Sequence, residues 1–429
     1  MPPAAPDSPK RTTQTDLFGG VEAVPAVAVA DGRRIARVQL EGSALMELDY
    51  AIPDELASRV VVGSRVTVPL QNRRANAVVI ELPEVSPHRG KLKEVASIIG
   101  QRPMFTPALL KLARWMAEYY LVSPHQVLRT MLPQAVREKP GSFVMDSHLK
   151  LVKEPPPDVL EKMRGKAPMQ ARILEILSGA GGEATLSQIR RDVPRVASIL
   201  KPLLKAGWIS RSEVRVERDP FENEEFLPSQ ALTLTEEQQA AYARVVAAVE
   251  SPETAKPILL HGITGSGKTE VYLQAIAQVL ERGGTALVLV PEISLTPQTI
   301  ERFKARFADR SDRIAVLHSH LSDGERHDEW FKIHENRADI VIGARSAIFA
   351  PLERLGIIIV DEEHEPSFKQ DETPRYHARD LAVVRGGLEK CVVLLGSATP
   401  SLESYENATS GKYELLKLKQ RTDSPARCR

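Results

Sequence analysis

Six short apolar runs dominate the C-terminal half of the chain: PILLHG, ALVLVPE, RIAVLHS, DIVIGAR, GIIIVDE and CVVLLGSAT. Such runs, without polar alternation, predict strands buried on both faces, and the helical stretches between them predict a covered parallel sheet. Ligands of such sheets bind at the carboxyl ends of the strands. Upstream, RIARVQL, SRVTVPL and NAVVIEL are β-rich runs separated by Gly, Asn and Arg. They predict an all-β unit, which PALLKLARWMAEYYL extends with apolar residues at helical spacing. Residues 34–140 are assigned to this β-rich domain with its helical extension.

Pro140, Gly141 and the KEPPPD stretch at 153–158 mark a boundary. Residues 167–216 then read as three short helices and a β-hairpin, with Thr185 as a helix cap. That is the outline of a winged helix, assigned with its linker to 141–216. A small helical packing module fits the same pattern; Arg195, Lys201 and Lys205 near the third helix are the candidates for DNA contact. Residues 217–231 form an acidic linker rich in breakers. Residues 1–33, rich in Pro, Thr and Gly, read as a disordered tail.

Composition narrows the class. The 429 residues allow roughly two to four domains and are 42% hydrophobic and 26% charged, with a net charge of +1. Two cysteines, Cys391 and Cys428, supply neither a zinc cage nor a disulfide framework. A reducing cytoplasm is the simplest compartment. No apolar run of about 18 residues is present, and the start lacks a secretory signal pattern.

The chemistry concentrates in residues 232–429. GITGSGKT (262–269) satisfies G-x-x-x-x-G-K-[ST] between a strand and a helical pattern. Gly262, Gly265, Ser266 and Gly267 let backbone N–H groups turn inward around phosphate. Lys268 reaches the β and γ phosphates, and Thr269 ligates Mg2+. GIIIVDE ends on Asp361, where an aspartate that holds Mg2+ through water belongs, and Glu362 is the group to polarise the attacking water. GSATP (396–400) caps a further strand, with Ser397 and Thr399 as a hydroxyl pair linking nucleotide and nucleic-acid sides or as a helix cap. Behind Asp361 runs a loop of aromatics and cations. Stacking on unpaired bases and packing on the domain are both open to its rings.

Six segments in order resemble the superfamily 2 helicases of the PriA replication-restart family (primosomal protein N′). These are TGSGKTEVY, VPEISLTPQ, VLHS, GARSAIFAP, DEEHEPSFKQ…PRYHARDLA and GSATPSLES. MELDYAIPDEL and VGSRVTVPLQNRRANAVVIEL are similar to that family's domain for 3′ DNA ends, so the likeness covers about residues 34–420. It implies a RecA-like lobe with ATP and Mg2+, 3′ to 5′ unwinding, and a bacterial cytoplasmic protein at stalled forks. DNA forks, single strands and 3′ ends are the implied ligands; primosome and single-stranded-DNA-binding proteins are the implied partners. His364 falls where the family couples hydrolysis to DNA, and Gln238 (beside Gln239) matches an adenine-side glutamine. Phe368, Lys369, Gln370, Arg375, Tyr376, His377 and Arg379 fall in the single-strand-sensing loop. Asp49 and Tyr50 match the pocket for a nascent 3′ end.

The family pattern continues with a second RecA-like lobe, an arginine facing the nucleotide and a cysteine-rich zinc insertion. None of these follows Pro400 here, so no zinc site is expected. An arginine supplied from across the site is worth roughly 10³–10⁵ in rate, so one lobe is expected to bind nucleotide, hydrolyse it weakly and not translocate. A truncated sequence and a shortened assembly platform both fit, and the tail TDSPARCR favours the first. A non-hydrolysing fork-binding and primosome-assembly module is the alternative to the helicase reading. A further proposal concerns Gln14–Phe18, QTDLF, whose spacing matches sliding-clamp ligands; a chance match of five residues is the competing account.

Overall fold

The computed structural model describes residues 34–42, 47–88, 90–138, 143–193, 196–216, 218 and 226–422. The clamp-like Gln14–Phe18, Arg195 and Cys428 lie outside these residues.

The N-terminal unit is a five-stranded antiparallel sheet. Strands β1 (Ile35–Leu40), β2 (Glu47–Ala51), β3 (Arg65–Leu70), β4 (Arg73–Glu81) and β5 (Ser97–Ile99) are ordered β2-β1-β4-β3-β5. Three of these are the expected β-rich runs; β2 and β5 are short and carry little pattern. Helix α1 (Pro107–Tyr119) is capped by Thr106, whose side chain accepts from Leu109 N, with Pro at its first turn. The short helices α2 (Pro124–Met131) and α3 (Gln134–Glu138) follow.

The middle unit departs from the expected hairpin. Its elements are β6 (Val144–Leu151), α4 (Pro157–Lys166), α5 (Pro168–Gly179), β7 (Glu183–Thr185), α6 (Leu186–Asp192), α7 (Val196–Lys205) and β8 (Ile209–Val216). Thr185 does cap α6, in a capping box with Gln188. The long partner of β8 is β6, paired from Val144↔Val216 to Leu151↔Ile209, in a sheet ordered β7-β6-β8. A hairpin signal is local to a short turn, whereas β6 arrives from upstream of the KEPPPD stretch. That stretch therefore lies inside the unit, and the winged-helix outline is not confirmed. Lys201 and Lys205 are exposed on α7.

The C-terminal lobe contains α8 (Glu236–Glu250), β9 (Ile258–Gly262), α9 (Lys268–Glu281), β10 (Thr285–Leu289), α10 (Pro297–Arg306) and β11 (Ile314–Leu317). It continues with α11 (Asp323–His334), β12 (Ile340–Gly343), β13 (Leu355–Asp361), α12 (Ala378–Glu389), β14 (Val392–Ser397), α13 (Leu402–Thr409) and β15 (Glu414–Leu418). The sheet order is β11-β12-β10-β13-β14-β9-β15, with every pairing parallel. The six expected strands are present. The seventh, β15, lies at the sheet edge and is only partly buried, so its sequence lacks a continuous apolar run.

Successive strand residues serve opposite layers, as a period of two requires. Ile258 and Leu260 pack with α8, α9 and α10, while Leu259, Ile358 and Val360 pack with α11 and α12. The second layer also takes in Leu109, Leu112 and Met116 of α1, which ties the N-terminal unit to the lobe. Among the described residues, no helix is long and apolar enough to cross a membrane.

Candidate nucleotide and nucleic-acid site

The turn between β9 and α9 needs backbone that only glycine adopts without strain: Gly265 and Gly267 have φ of 80° and 76°. Lys268 is buried, and its Nζ donates to the Gly262 carbonyl at 2.8 Å while standing 3.8 Å from Glu362. Ser266 Oγ is buried without a partner, a donor a phosphate oxygen would satisfy. Gln238 braces this turn. Its Nε2 donates to Ser266 O at 2.8 Å, and a Cβ at Gly267 would lie 2.2 Å from that nitrogen. Gln239 is exposed. Gln238 is not among the lining residues of the adjoining cavity, so what it visibly does is hold the loop.

That cavity, of about 890 Å3, is lined by the phosphate loop, Thr269, Asp361 and Glu362, with Gln298, Arg302 and Arg306 of α10 opposite. Glu270, one residue beyond the motif, anchors its far wall. Its carboxylate accepts from Arg306 at 2.8 and 2.7 Å and from Leu232 N at 3.0 Å. Asp361 receives the Tyr272 hydroxyl on Oδ1 at 3.1 Å. Burial, then the Glu362 charge, pushes the Asp361 carboxyl above its usual range. A divalent cation offsets that cost, and with Thr269 the donors suit Mg2+, which is completed by phosphate oxygens rather than by a protein cage. Among the described residues no three His, Cys, Asp or Glu side chains gather to hold a metal.

Immediately beyond, the segment after β13 is stapled twice, once to the end of β14 and once to α12 and the start of α13. His364 Nδ1 and Ser397 Oγ hydrogen-bond at 2.8 Å, His364 Nε2 and Thr399 Oγ1 at 3.3 Å, and Ser397 Oγ accepts from Thr399 N at 3.0 Å. The second staple is Glu363, wholly buried and passed over in the sequence. Its carboxylate accepts from Ser401 N at 2.7 Å, Ser404 Oγ at 2.8 Å and Arg379 Nη1 at 3.2 Å. The sequence signal was available: an acid between two functional acids, with a Ser-x-x-Ser helix start downstream.

With this arrangement in view, comparison with known proteins is informative. Residues 37–133 match the family described as 3'DNA-binding domain (3'BD), and residues 235–408 match DEAD/DEAH box helicase. Relatives called Replication restart protein PriA include one from Bacillus subtilis (strain 168), 38% identical over 87% of this chain and 54% of its own length. Another, from Haemophilus influenzae, is 36% identical over 90% of this chain and 52% of its own. The chain belongs to the PriA family. It spans about half the length of these PriA relatives. A solved structure titled "Structure of RecG bound to three-way DNA junction" aligns at 18% identity with a TM-score of 0.35, covering 93% of this chain and 53% of that one. The lobe's own strand order carries the fold assignment instead.

The remaining sites expected from PriA resemblance fare unevenly. Phe368 and Tyr376 are each 1% exposed and pack in the lobe's core, with Tyr376 edge-on to Phe349 at 5.1 Å. Burial pushes the Tyr376 hydroxyl up to about 12. Rings this buried present no free face to a base in this conformation; two large aromatics in a short charged loop stabilise it more by entering the core. Arg379 is likewise committed, to Glu363 and Asp380. His377 is partly buried and shifted down, by burial first and then by Arg379. Lys369 and Arg375 are exposed, and Gln370 lies at the loop's edge. Arg345, not singled out in the sequence, pins the loop by donating to the carbonyls of Ser367 (3.4 Å) and Lys369. On the N-terminal sheet, Asp49 accepts from Arg37 Nε at 2.9 Å and Ser86 Oγ at 2.7 Å, while Tyr50 is buried and donates to Pro69 O at 3.1 Å. Both side chains are engaged inside the domain, on the edge strand β2.

One packing detail of the PriA lobe makes a testable demand. Gly396 lies opposite Asp361 in the sheet register, and a Cβ there would sit 1.6 Å from the Tyr272 hydroxyl. Gly396→Ala should therefore destabilise the lobe by about 1–3 kcal/mol. Adding Tyr272→Phe should recover only part of that, because Tyr272 Cζ would itself lie 2.8 Å from the new methyl. Denaturant titration of the three proteins checks both statements; equal stability of Gly396→Ala and wild type refutes them.

Proposed function

We propose that the chain is the DNA-binding and first ATP-binding portion of a replication-restart helicase that acts 3′ to 5′ on stalled forks. The carrying observation is adjacency: Glu362 faces Lys268 across the nucleotide cavity, and His364, two residues on, is hydrogen-bonded to the Ser397–Thr399 pair. A change at the phosphates has a direct covalent and hydrogen-bonded route to the strand ends. The relatives' name, replication restart protein, and the 3'DNA-binding match of the N-terminal sheet support the same reading.

ATP would enter with its phosphates against the loop, where Lys268 exchanges the Gly262 carbonyl for phosphate oxygens. Thr269 and Asp361 would hold Mg2+, which would supply charge neutralisation on the phosphates. Glu362 takes a proton from water as the water oxygen attacks the γ phosphorus; the bond to the bridging oxygen breaks, leaving ADP and phosphate. Fork DNA, primosome proteins and single-stranded-DNA-binding protein are the partners proposed with this activity.

ATP hydrolysis by the chain, measured with and without a model fork, tests the reading. DNA-stimulated turnover supports it. Tight fork binding without turnover leaves the non-hydrolysing assembly module.

A further inference from the structure

Two cavities away from the nucleotide share a wall. One, of about 470 Å3, lies between the N-terminal sheet and helices α2 and α3. The other, of about 610 Å3, opens past the ends of β10, β11 and β12 and is lined there by His318, Arg326, Arg345 and Gln370. Arg129, Leu132 and Arg137 line both. The two thus adjoin at α2 and α3, one reaching the helicase lobe and the other the N-terminal sheet.

Charge is unevenly placed in them. In the smaller cavity Arg65, Arg129, Arg137 and His125 stand against Glu41 and Glu138. Arg65 is 3% exposed; its Nε and Nη2 donate to Glu41 at 2.6 and 2.8 Å, and Nη2 also to Arg137 O at 3.0 Å. Its Nη1 is buried with no partner. A buried donor left unsatisfied costs about 1–3 kcal/mol, and the arginine that carries it lines the cavity. Crowding is visible at Arg137, pushed below its ordinary value by burial and then by Arg129, with Arg65 adding to it. The floor beneath is apolar, formed by Leu40, Val78, Phe105 and Leu128.

We propose that Arg65, Arg129 and Arg137 form a phosphate-binding site for a single-stranded nucleic acid that has crossed the helicase lobe. Cations set above apolar surface suit a strand with unpaired bases, whose faces a duplex would hide in its stack. Neither Asp49 nor Tyr50 lines the cavity, so the site is distinct from those two residues, although Arg65 and Arg129 lie within the same 3'DNA-binding match. An acidic peptide satisfies the same cations, but a cavity that adjoins the one past the parallel strand ends, within a 3'DNA-binding match, favours a strand. The inference rests on the reading that the lobe engages single strands.

Arg129 is exposed, so its substitution spares the core. Binding of a fluorescent oligo(dT) to the full chain, followed by anisotropy over a range of salt, is the measurement. Arg129→Ala should weaken binding several-fold and flatten the salt slope by about 0.7, the share of one single-strand phosphate contact. Arg129→Lys should keep the slope, and Arg129→Glu should weaken binding further. Wild-type affinity and slope in Arg129→Ala would overturn the site, as would loss of poly-glutamate binding with the oligonucleotide slope intact. A wild-type chain that binds no oligonucleotide would instead sink the underlying reading.

Discussion

Glu362→Gln is expected to lower DNA-stimulated ATP turnover by about 10²–10⁴-fold while nucleotide affinity stays near wild type. The argument is positional. Glu362 is a non-glycine residue at φ 46°, a left-handed conformation that side chains rarely adopt. Such strain costs about 1–3 kcal/mol and persists where the surroundings enforce it. Here β13 ends at Asp361, and the next residue but one is locked by Glu363 N donating to Gly396 O at 3.0 Å. The turn between them aims Glu362 at the cavity, 3.8 Å from Lys268 and 3.6 Å from His364. Glutamine preserves size and hydrogen bonding but does not accept a proton from water. Phosphate release gives the turnover, and a fluorescent ATP analogue gives the affinity. Retained turnover would remove Glu362 from the proposed chemistry; lost affinity would make it a binding residue.

Glu363→Ala should produce the largest loss of stability, about 3–5 kcal/mol, because it removes the buried counter-charge of Arg379 and leaves it to the half-exposed Asp380. Glu363 is 0% exposed and Arg379 only 8%. The same carboxylate also accepts from Ser401 and Ser404 at the start of α13, so three donors lose their acceptor together. For a lobe of this size the change corresponds to a fall in Tm on the order of 10 °C. Glu363→Gln should lose less, since an amide oxygen still accepts from the serines. Differential scanning calorimetry of both variants decides it. A melting curve for Glu363→Ala that overlays wild type would show that the pair is solvated in solution.

The neighbouring carboxylates of the DEE run show what was legible. Asp361 and Glu362 could be read because a phosphate loop upstream demands a metal holder and a water-polarising base at a strand end. Glu363 has the same chemistry, yet it turns away into the core, and only the partners from β14 and α13 reveal why. Phe368 and Tyr376 make the opposite case. Their composition suited stacking on bases, but whether a ring faces solvent or core depends on what packs beneath, here Phe349.

The sequence alone determined the parallel sheet, the phosphate loop and the order of the strand-end motifs. Each rests on short-range rules: a run of apolar residues, glycines in a turn, an acid after a strand. Tertiary structure decided everything that needs two distant segments. It paired β6 with β8, added β15 at the edge, and docked α1 of the N-terminal unit on the lobe. It also joined His364 to Ser397 and set Arg65, Arg129 and Arg137 around one cavity. Such contacts depend on free energies of burial and charge pairing between groups far apart in the chain, and local pattern does not carry that information.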